Sequence, residues 1–191
     1  GHVRVYDWSG SSWTQVGADI DGYGNSGNSV SLSADGSRVA IGANLNGLGY
    51  NLYSGHVSVY DWSGSSWTQV GADIVGEASG DQSGWSVSLS ADGSRVAIGS
   101  YRNNNYSGHV RVFELSGSSW TQVAVDIDSE ASGDRSGYSV SLSADGSRVA
   151  IGAIRNNNSS DHARVGSEER WVGSAWRYRG SAYDGNGNSG N

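Results

Sequence analysis

The sequence predicts an all-β fold, a β-propeller with blades of four antiparallel strands, of which this chain supplies about three and a half. Three observations predict it. The twelve residues SLSADGSRVAIG recur unchanged from Ser31, Ser88 and Ser141. A second segment repeats around them: GHVRVYDWSGSSWTQVGADI at Gly1, GHVSVYDWSGSSWTQVGADI at Gly55, GHVRVFELSGSSWTQVAVDI at Gly108, and a degraded DHARVGSEERWVGSAWRYRG at Asp161. The spacing is therefore 54, 53 and 53 residues. Finally, 30 Gly, 8 Trp and 10 Tyr in 191 residues combine frequent turns with enough large apolar surface for packed layers. The units divide as 1–54, 55–107, 108–160 and a partial fourth at 161–191.

Each element follows from alternation. Strand A, SVSLS, sets Val30 and Leu32 on one face and serines on the other. Strand B, RVAIG, does the same with Val39 and Ile41. Between them ADGS makes a tight hairpin, because glycine takes positive φ at no steric cost. Strand C is HVRVYDW and strand D is WTQVGADI, joined by SGSS. The count is fourteen strands and almost no helix, with hairpins at Asp35-Gly36, Asp92-Gly93 and Asp145-Gly146. Val30, Leu32, Val39, Ile41 and their counterparts are expected to be buried. Strands A and B read as the inner strands, where any change must suit two neighbouring blades, so the invariant run reads as a packing constraint.

Variation is greatest in the B–C and D–A connections, which strand alternation brings to one face of the ring. Loops on a rigid scaffold are where recognition usually lives. The candidate ligand-binding residues of this face are Tyr23, Asn44, Tyr50, Trp85, Tyr101, Arg102, Tyr138 and Arg155. Tyr23, Trp85 and Tyr138 are placed to stack on sugar rings. Trp13, Trp67 and Trp120 recur at one position and read as blade packing. Sequons give glycosylation candidates at Asn105, Asn157 and Asn158.

Metal and catalytic chemistry are read from the same loops. Asp19 and Asp21, Asp126 and Asp128, and Asp184, Asn186 and Asn188 alternate oxygen-bearing side chains as calcium loops do, without the terminal bidentate Glu or the glycine at the sixth position. Calcium is the one candidate cofactor. His2, His56, His109 and His162 occupy one equivalent position in successive units, a blade's width apart, too far to share a metal at about 2 Å. They read as structural. No nucleophile, base and orienting group converge, and no phosphate loop occurs, so the chain is expected not to be an enzyme.

Formal net charge is −7, and the 12 basic residues are all Arg, spread singly. That excludes the basic stripe a nucleic-acid backbone requires. No apolar run reaches the length of a membrane span. With no Cys there is no disulfide framework.

From Ser83 to Ser100, SGWSVSLSADGSRVAIGS and its sister copies resemble the FG-GAP repeat of the integrin-α N-terminal β-propeller. The Phe-Gly of that motif stands here as Ser83-Gly84, and Gly-Ala-Pro as Gly42-Ala43-Asn44, Gly99-Ser100-Tyr101 and Gly152-Ala153-Ile154. Calcium-binding members use an Asp-rich A–B loop; here it is only SADGS, so Asp35, Asp92 and Asp145 do not inherit that role. His2 and Asp7 lie too close for the GH and DW pairs of a WD repeat, SADGS lacks the residue that a sialidase Asp-box has between Asp and Gly, and the Gly-Gly pair of kelch repeats, whose period is similar, is missing. The resemblance implies a secreted or cell-surface, non-catalytic propeller that binds protein or glycan through its loop face. The alternative is a structural repeat protein whose copies assemble into a fibre, sheath or surface layer. A propeller hydrolase is the distant third reading. The first strand pair, Gly1 to Ile20, is of C–D type with no A and B of its own, so apolar edges are expected to be covered by further repeats or a neighbouring chain.

Overall fold

The computed structural model describes residues 1–46 and 52–155, and beyond them the backbone of four short strands. The chain starts with His2–Val3 (β1), Tyr6–Trp8 (β2), Trp13–Gln15 (β3) and Ile20–Asp21 (β4). The first full blade comprises Ser29–Leu32 (β5), Arg38–Ala43 (β6), His56–Trp62 (β7), Trp67–Gln69 (β8) and Ile74–Val75 (β9). The second comprises Ser86–Leu89 (β10), Arg95–Ser100 (β11), a helical turn Asn103–Tyr106 (α1), His109–Ser116 (β12), Ser119–Gln122 (β13) and Ile127–Asp128 (β14). The third comprises Ser136–Leu142 (β15), Val149–Ala153 (β16), His162–Arg164 (β17), Arg170–Val172 (β18), Ala175–Arg177 (β19) and Tyr183–Asp184 (β20). Every strand ladder is antiparallel, and β5-β6-β7-β8 and β10-β11-β12-β13 run in chain order across their sheets.

The described strands number twenty, not fourteen, because strand D breaks in each unit and strand C breaks as well in the first (β1, β2) and the last (β17, β18). On β7, His56 and Val57 pair with Val75 and Ile74, while Tyr60 pairs with Gln69. Four residues, Val70 to Asp73, thus oppose two, Ser58 and Val59. The two extra residues form a bulge that splits the strand. The same four-against-two split gives β13 and β14, and β3 and β4. In the degraded fourth unit β18 pairs with β19 and β17 with β20, so strand D again meets strand C in two separate pairings.

The A–B hairpins form where the sequence places them. The glycine N–H bonds back to the serine carbonyl three residues earlier, as in Gly36 to Ser33 at 3.0 Å. Gly36, Gly93 and Gly146 all take φ between 65° and 72°. Asp35 is the hub of its turn. Its carboxylate accepts from the Ser37 N–H and from the Ser33 and Ser37 hydroxyls, which hold its pKa down at about 2.

Apolar faces stack blade on blade. Ala40, Val57, Val59 and Ile74 of the first blade pack against Val87, Leu89, Val96 and Ile98 of the second. Ala97, Val110, Val112 and Ile127 pack in turn against Val149 and Ile151. Burial of the A strand departs from expectation in the first copy. Val87 and Leu89 are 8% and 7% exposed, but Val30 and Leu32 are 53% and 48% exposed. Val30 lies opposite Ile41, and Leu32 opposite Val39, on one sheet face. Val3 and Ile20 cover the Val39–Ile41 half of that face, and among the described residues nothing covers the other half.

Candidate functional site: an aromatic and arginine cluster

Four of the residues singled out in the loops come together between the second and third blades. Trp85, just before β10, lies 4.6 Å from Tyr101, just after β11, centroid to centroid. Tyr138 in β15 lies 5.4 Å from Trp85 and 5.5 Å from Tyr101. The tilted and edge-on packing matches the preferred geometry of aromatic pairs. Arg102 donates from Nε to the Tyr101 hydroxyl at 3.0 Å.

Two further residues complete the cluster. Tyr106 lies 6.4 Å from Tyr101, and the Arg102 and Arg135 guanidinium groups each lie 5.2 Å from the Tyr106 ring. Both arginines also reach the Tyr101 ring, at 5.8 and 6.0 Å. Tyr101 is buried as the floor, while Arg102 and Tyr106 are exposed. The result is a wall of aromatic surface with two positive charges at its rim, held by cation–π contacts.

The backbone that sets these side chains is strained. Tyr106 and Arg135 have φ of 66° and 61°, a left-handed conformation that bulky residues rarely adopt. They are held by each other, because the Arg135 N–H donates to the Tyr106 carbonyl at 2.9 Å. A parallel bridge between Gly108 and Ser136 fixes the same two loops. Tyr53 and Gln82 repeat this left-handed pair one blade earlier, with Gln in place of Arg. Left-handed non-glycine residues of this kind cluster at ligand clamps and cost of order 1–3 kcal/mol each. Sequence reasoning missed Tyr106 and Arg135. Their signal was the Gln-to-Arg change between the GDQSG and GDRSG copies of the D–A loop.

The remaining loop-face candidates lie apart. Tyr23 is 86% exposed. Asn44 is an interior residue instead of a displayed one: it is 1% exposed, and its side-chain oxygen accepts from Asn25 at 3.1 Å. Arg155 is exposed, and its N–H donates to the Asp134 carbonyl. Asn105 is exposed in α1 with φ of 60°. Tyr50, Asn157, Asn158, Asn186 and Asn188 lie outside the described residues, and Asp184 is described only as part of β20.

The acidic positions are engaged by protein groups. The Arg4 guanidinium forks onto both oxygens of Asp19 at 2.9 and 2.8 Å, and Gln15 donates as well; together they hold the Asp19 pKa at about 2. Asp126 accepts from Gln122 at 2.7 Å and stands 3.4 Å from Nδ1 of buried His109. Asp21 and Asp128 are exposed strand-end residues paired with His2 and His109 in their ladders. Glu77, His109 and Asp126 place one ligand atom each within 4.8 Å of one another, the closest approach to a metal site among the described residues. Arg111 already stands 3.7 Å from Glu77, so the protein supplies that crevice with its own cation. Burial keeps His109 neutral, with its pKa lowered. A cleft of about 380 Å³ opens nearby, lined by Asp73, Arg111, Phe113 and Trp120, and one of about 270 Å³ occupies the equivalent junction beside Asp19, Tyr60 and Trp67. Two copies at equivalent junctions mark these clefts as products of the repeat.

No known family model matches the chain, and no curated protein does. Solved structures do. A putative 6-phosphogluconolactonase from Bacteroides uniformis matches with TM-score 0.57 at 12% identity, over 92% of this chain and 50% of that one. The periplasmic gluconolactonase of Pseudomonas aeruginosa matches with TM-score 0.51 at 17% identity, over 84% of this chain and 45% of that one. TolB from Acinetobacter baumannii matches with TM-score 0.50 at 20% identity, over 85% of this chain and 34% of that one. The chain thus spans a third to a half of the length of these proteins. Two of the three carry lactonase names, one of them as putative, and this corrects the expectation of a non-catalytic binding propeller. At these identities the likeness establishes the fold alone, and the chain is an array of β-propeller blades.

Proposed function

We propose that these blades belong to a propeller hydrolase acting on a small, anionic, ring-shaped substrate of the sugar-lactone class, held at the Trp85–Tyr101–Tyr138 wall. The observation that carries this reading is the pair of arginines, Arg102 and Arg135, flanking aromatic faces on the loop side of the ring. Aromatic faces suit the apolar side of a sugar ring. Guanidinium groups suit a carboxylate or phosphate, and also the oxyanion that develops when water adds to a lactone carbonyl. The lactonase names of two fold relatives support the substrate class, and the periplasmic setting of one supports export. The repeat is taken as FG-GAP-like on its sequence resemblance, and the substrate as the small-molecule partner.

The test is acid release from gluconolactone and 6-phosphogluconolactone, followed with a pH indicator against the spontaneous rate. Saturable acceleration that is lost in the Arg102→Ala/Arg135→Ala double variant, with its melting curve retained, is the expected result. A rate equal to the spontaneous one at every concentration, or binding without turnover, overturns the reading. The same assay decides the expectation that the chain is not an enzyme.

A further inference from the structure

We infer that the uncovered half of the first blade, together with the free edge of β1 and β2, is a docking site for one more A–B hairpin of this repeat, with the sequence SVSLSADGSRVAIG. The argument rests on contacts that are made twice between successive copies and are unmade, among the described residues, on the outer face of the first blade.

The B-strand arginine makes two of them. Arg38 forks onto Asp61 in its own blade, and its Nη1 donates to the Gly93 carbonyl in the next hairpin at 2.9 Å. Arg95 does the same with Glu114 and with the Gly146 carbonyl at 3.1 Å. At the equivalent positions of the first unit stand the Asp7 carboxylate and the Gly36 carbonyl. The Asp7 side chain is exposed and makes no hydrogen bond or ion pair among the described residues.

The A strand makes two more. The Leu89 N–H donates to the Ser31 hydroxyl and the Leu142 N–H to the Ser88 hydroxyl, both at 2.9 Å. The Ser29 and Ser86 hydroxyls donate to the carbonyls of Gly84 and Gly137 at 2.8 and 2.9 Å. Leu32 and Gly27 hold the matching positions, ready for the same serines of an incoming strand. The turns join as well: the Ala34 N–H donates to the Ala91 carbonyl and the Ala91 N–H to the Ala144 carbonyl, both at 2.8 Å.

One occupant answers all of these positions at once. A hairpin carrying serine, alanine and arginine at the repeat's spacing would pair its B strand with β1 and β2, as β6 pairs with β7. It would also bury Val30 and Leu32 as Val87 and Leu89 are buried. Charge complementarity at Asp7 and continuity with the blade-to-blade interface both select this partner over an unspecific apolar one. A second copy of the chain fits less well, because its β16 is already paired with its own β17.

The experiment uses the whole chain and a labelled, end-blocked SVSLSADGSRVAIG peptide, read by fluorescence anisotropy, with a scrambled peptide of the same composition beside it. Saturable one-to-one binding of the native order alone is expected. Asp7→Ala in the chain should weaken it about tenfold, Arg→Ala in the peptide more, because it also loses the Gly36 carbonyl, and the two together no more than Arg→Ala alone, because the charge-assisted contact to Asp7 is shared. Equal binding of the scrambled peptide, or no saturable binding to a folded chain, overturns the inference. So does sedimentation showing a dimer that Leu32→Lys dissociates but the peptide does not, since the face then belongs to a second copy. Asp7→Ala lies on an exposed edge, so retained melting behaviour separates lost docking from lost folding.

Discussion

Truncating the same leucine in the three identical copies isolates what blade stacking contributes. Leu32, Leu89 and Leu142 sit in one twelve-residue sequence, so local propensity is the same for all three. Leu89 is 7% exposed among Val57, Val59 and Phe113, whereas Leu32 is 48% exposed; Leu142 falls between. Removing a buried leucine side chain loses its transfer free energy and leaves a cavity, so Leu89→Ala should cost about 3 kcal/mol. At Leu32 half of the transfer contribution is already absent and no closed cavity forms, so Leu32→Ala should cost about 1 kcal/mol. For a chain of this length those costs translate to Tm losses of about 6–12 °C and about 2–4 °C. Thermal melts followed by near-UV circular dichroism give the order Leu89, Leu142, Leu32. Equal losses at Leu89 and Leu32 would refute the stacking of the second blade on the first.

Three other outcomes are expected. Gly99→Ala drives a Cβ into the Gly137 carbonyl oxygen of the next blade, whereas at Gly36 the Cβ meets open space and only the positive φ opposes it. The first should cost at least about 3 kcal/mol and the second about 1 kcal/mol, readable as urea midpoints. Trp120→Phe removes the Nε1–H bond to the Val70 carbonyl at 2.9 Å while keeping an aromatic ring, for a loss of about 1 kcal/mol measured the same way. Stability should fall as pH drops below about 6.5, where histidines of the unfolded chain take up protons while burial keeps His109 and His56 neutral in the folded one. Denaturation midpoints at pH 7.5 and 5.5 test this; an unchanged difference in the His56→Gln/His109→Gln variant would remove these residues from the account.

Much of the fold was legible in the repeat, because strand alternation and Asp-Gly turns are local. The A–B hairpins form at Asp35-Gly36 and its copies, and Val39, Ile41, Val96 and Ile98 point inward as their alternation requires. The bulge that splits strand D was not legible, since WTQVGADI reads as one continuous run and only its two separate pairings with strand C reveal the extra residues. Of the candidate site, Trp85, Tyr101, Arg102 and Tyr138 were found by their loop positions. Tyr106 and Arg135 were not, because their places depend on a left-handed backbone that two loops impose on each other across the sheet end.

The sequence by itself determined what each copy becomes: four strands, a tight hairpin, one apolar face and a variable loop face. Tertiary structure decided what each copy does. SVSLSADGSRVAIG is spelled identically around Leu32 and Leu89, yet one leucine is half in water and the other enclosed. Strand geometry is fixed by a residue's own torsions and its neighbours in the chain. Burial, and the bonds of Asp7 or Arg38, are fixed by which surface stands opposite.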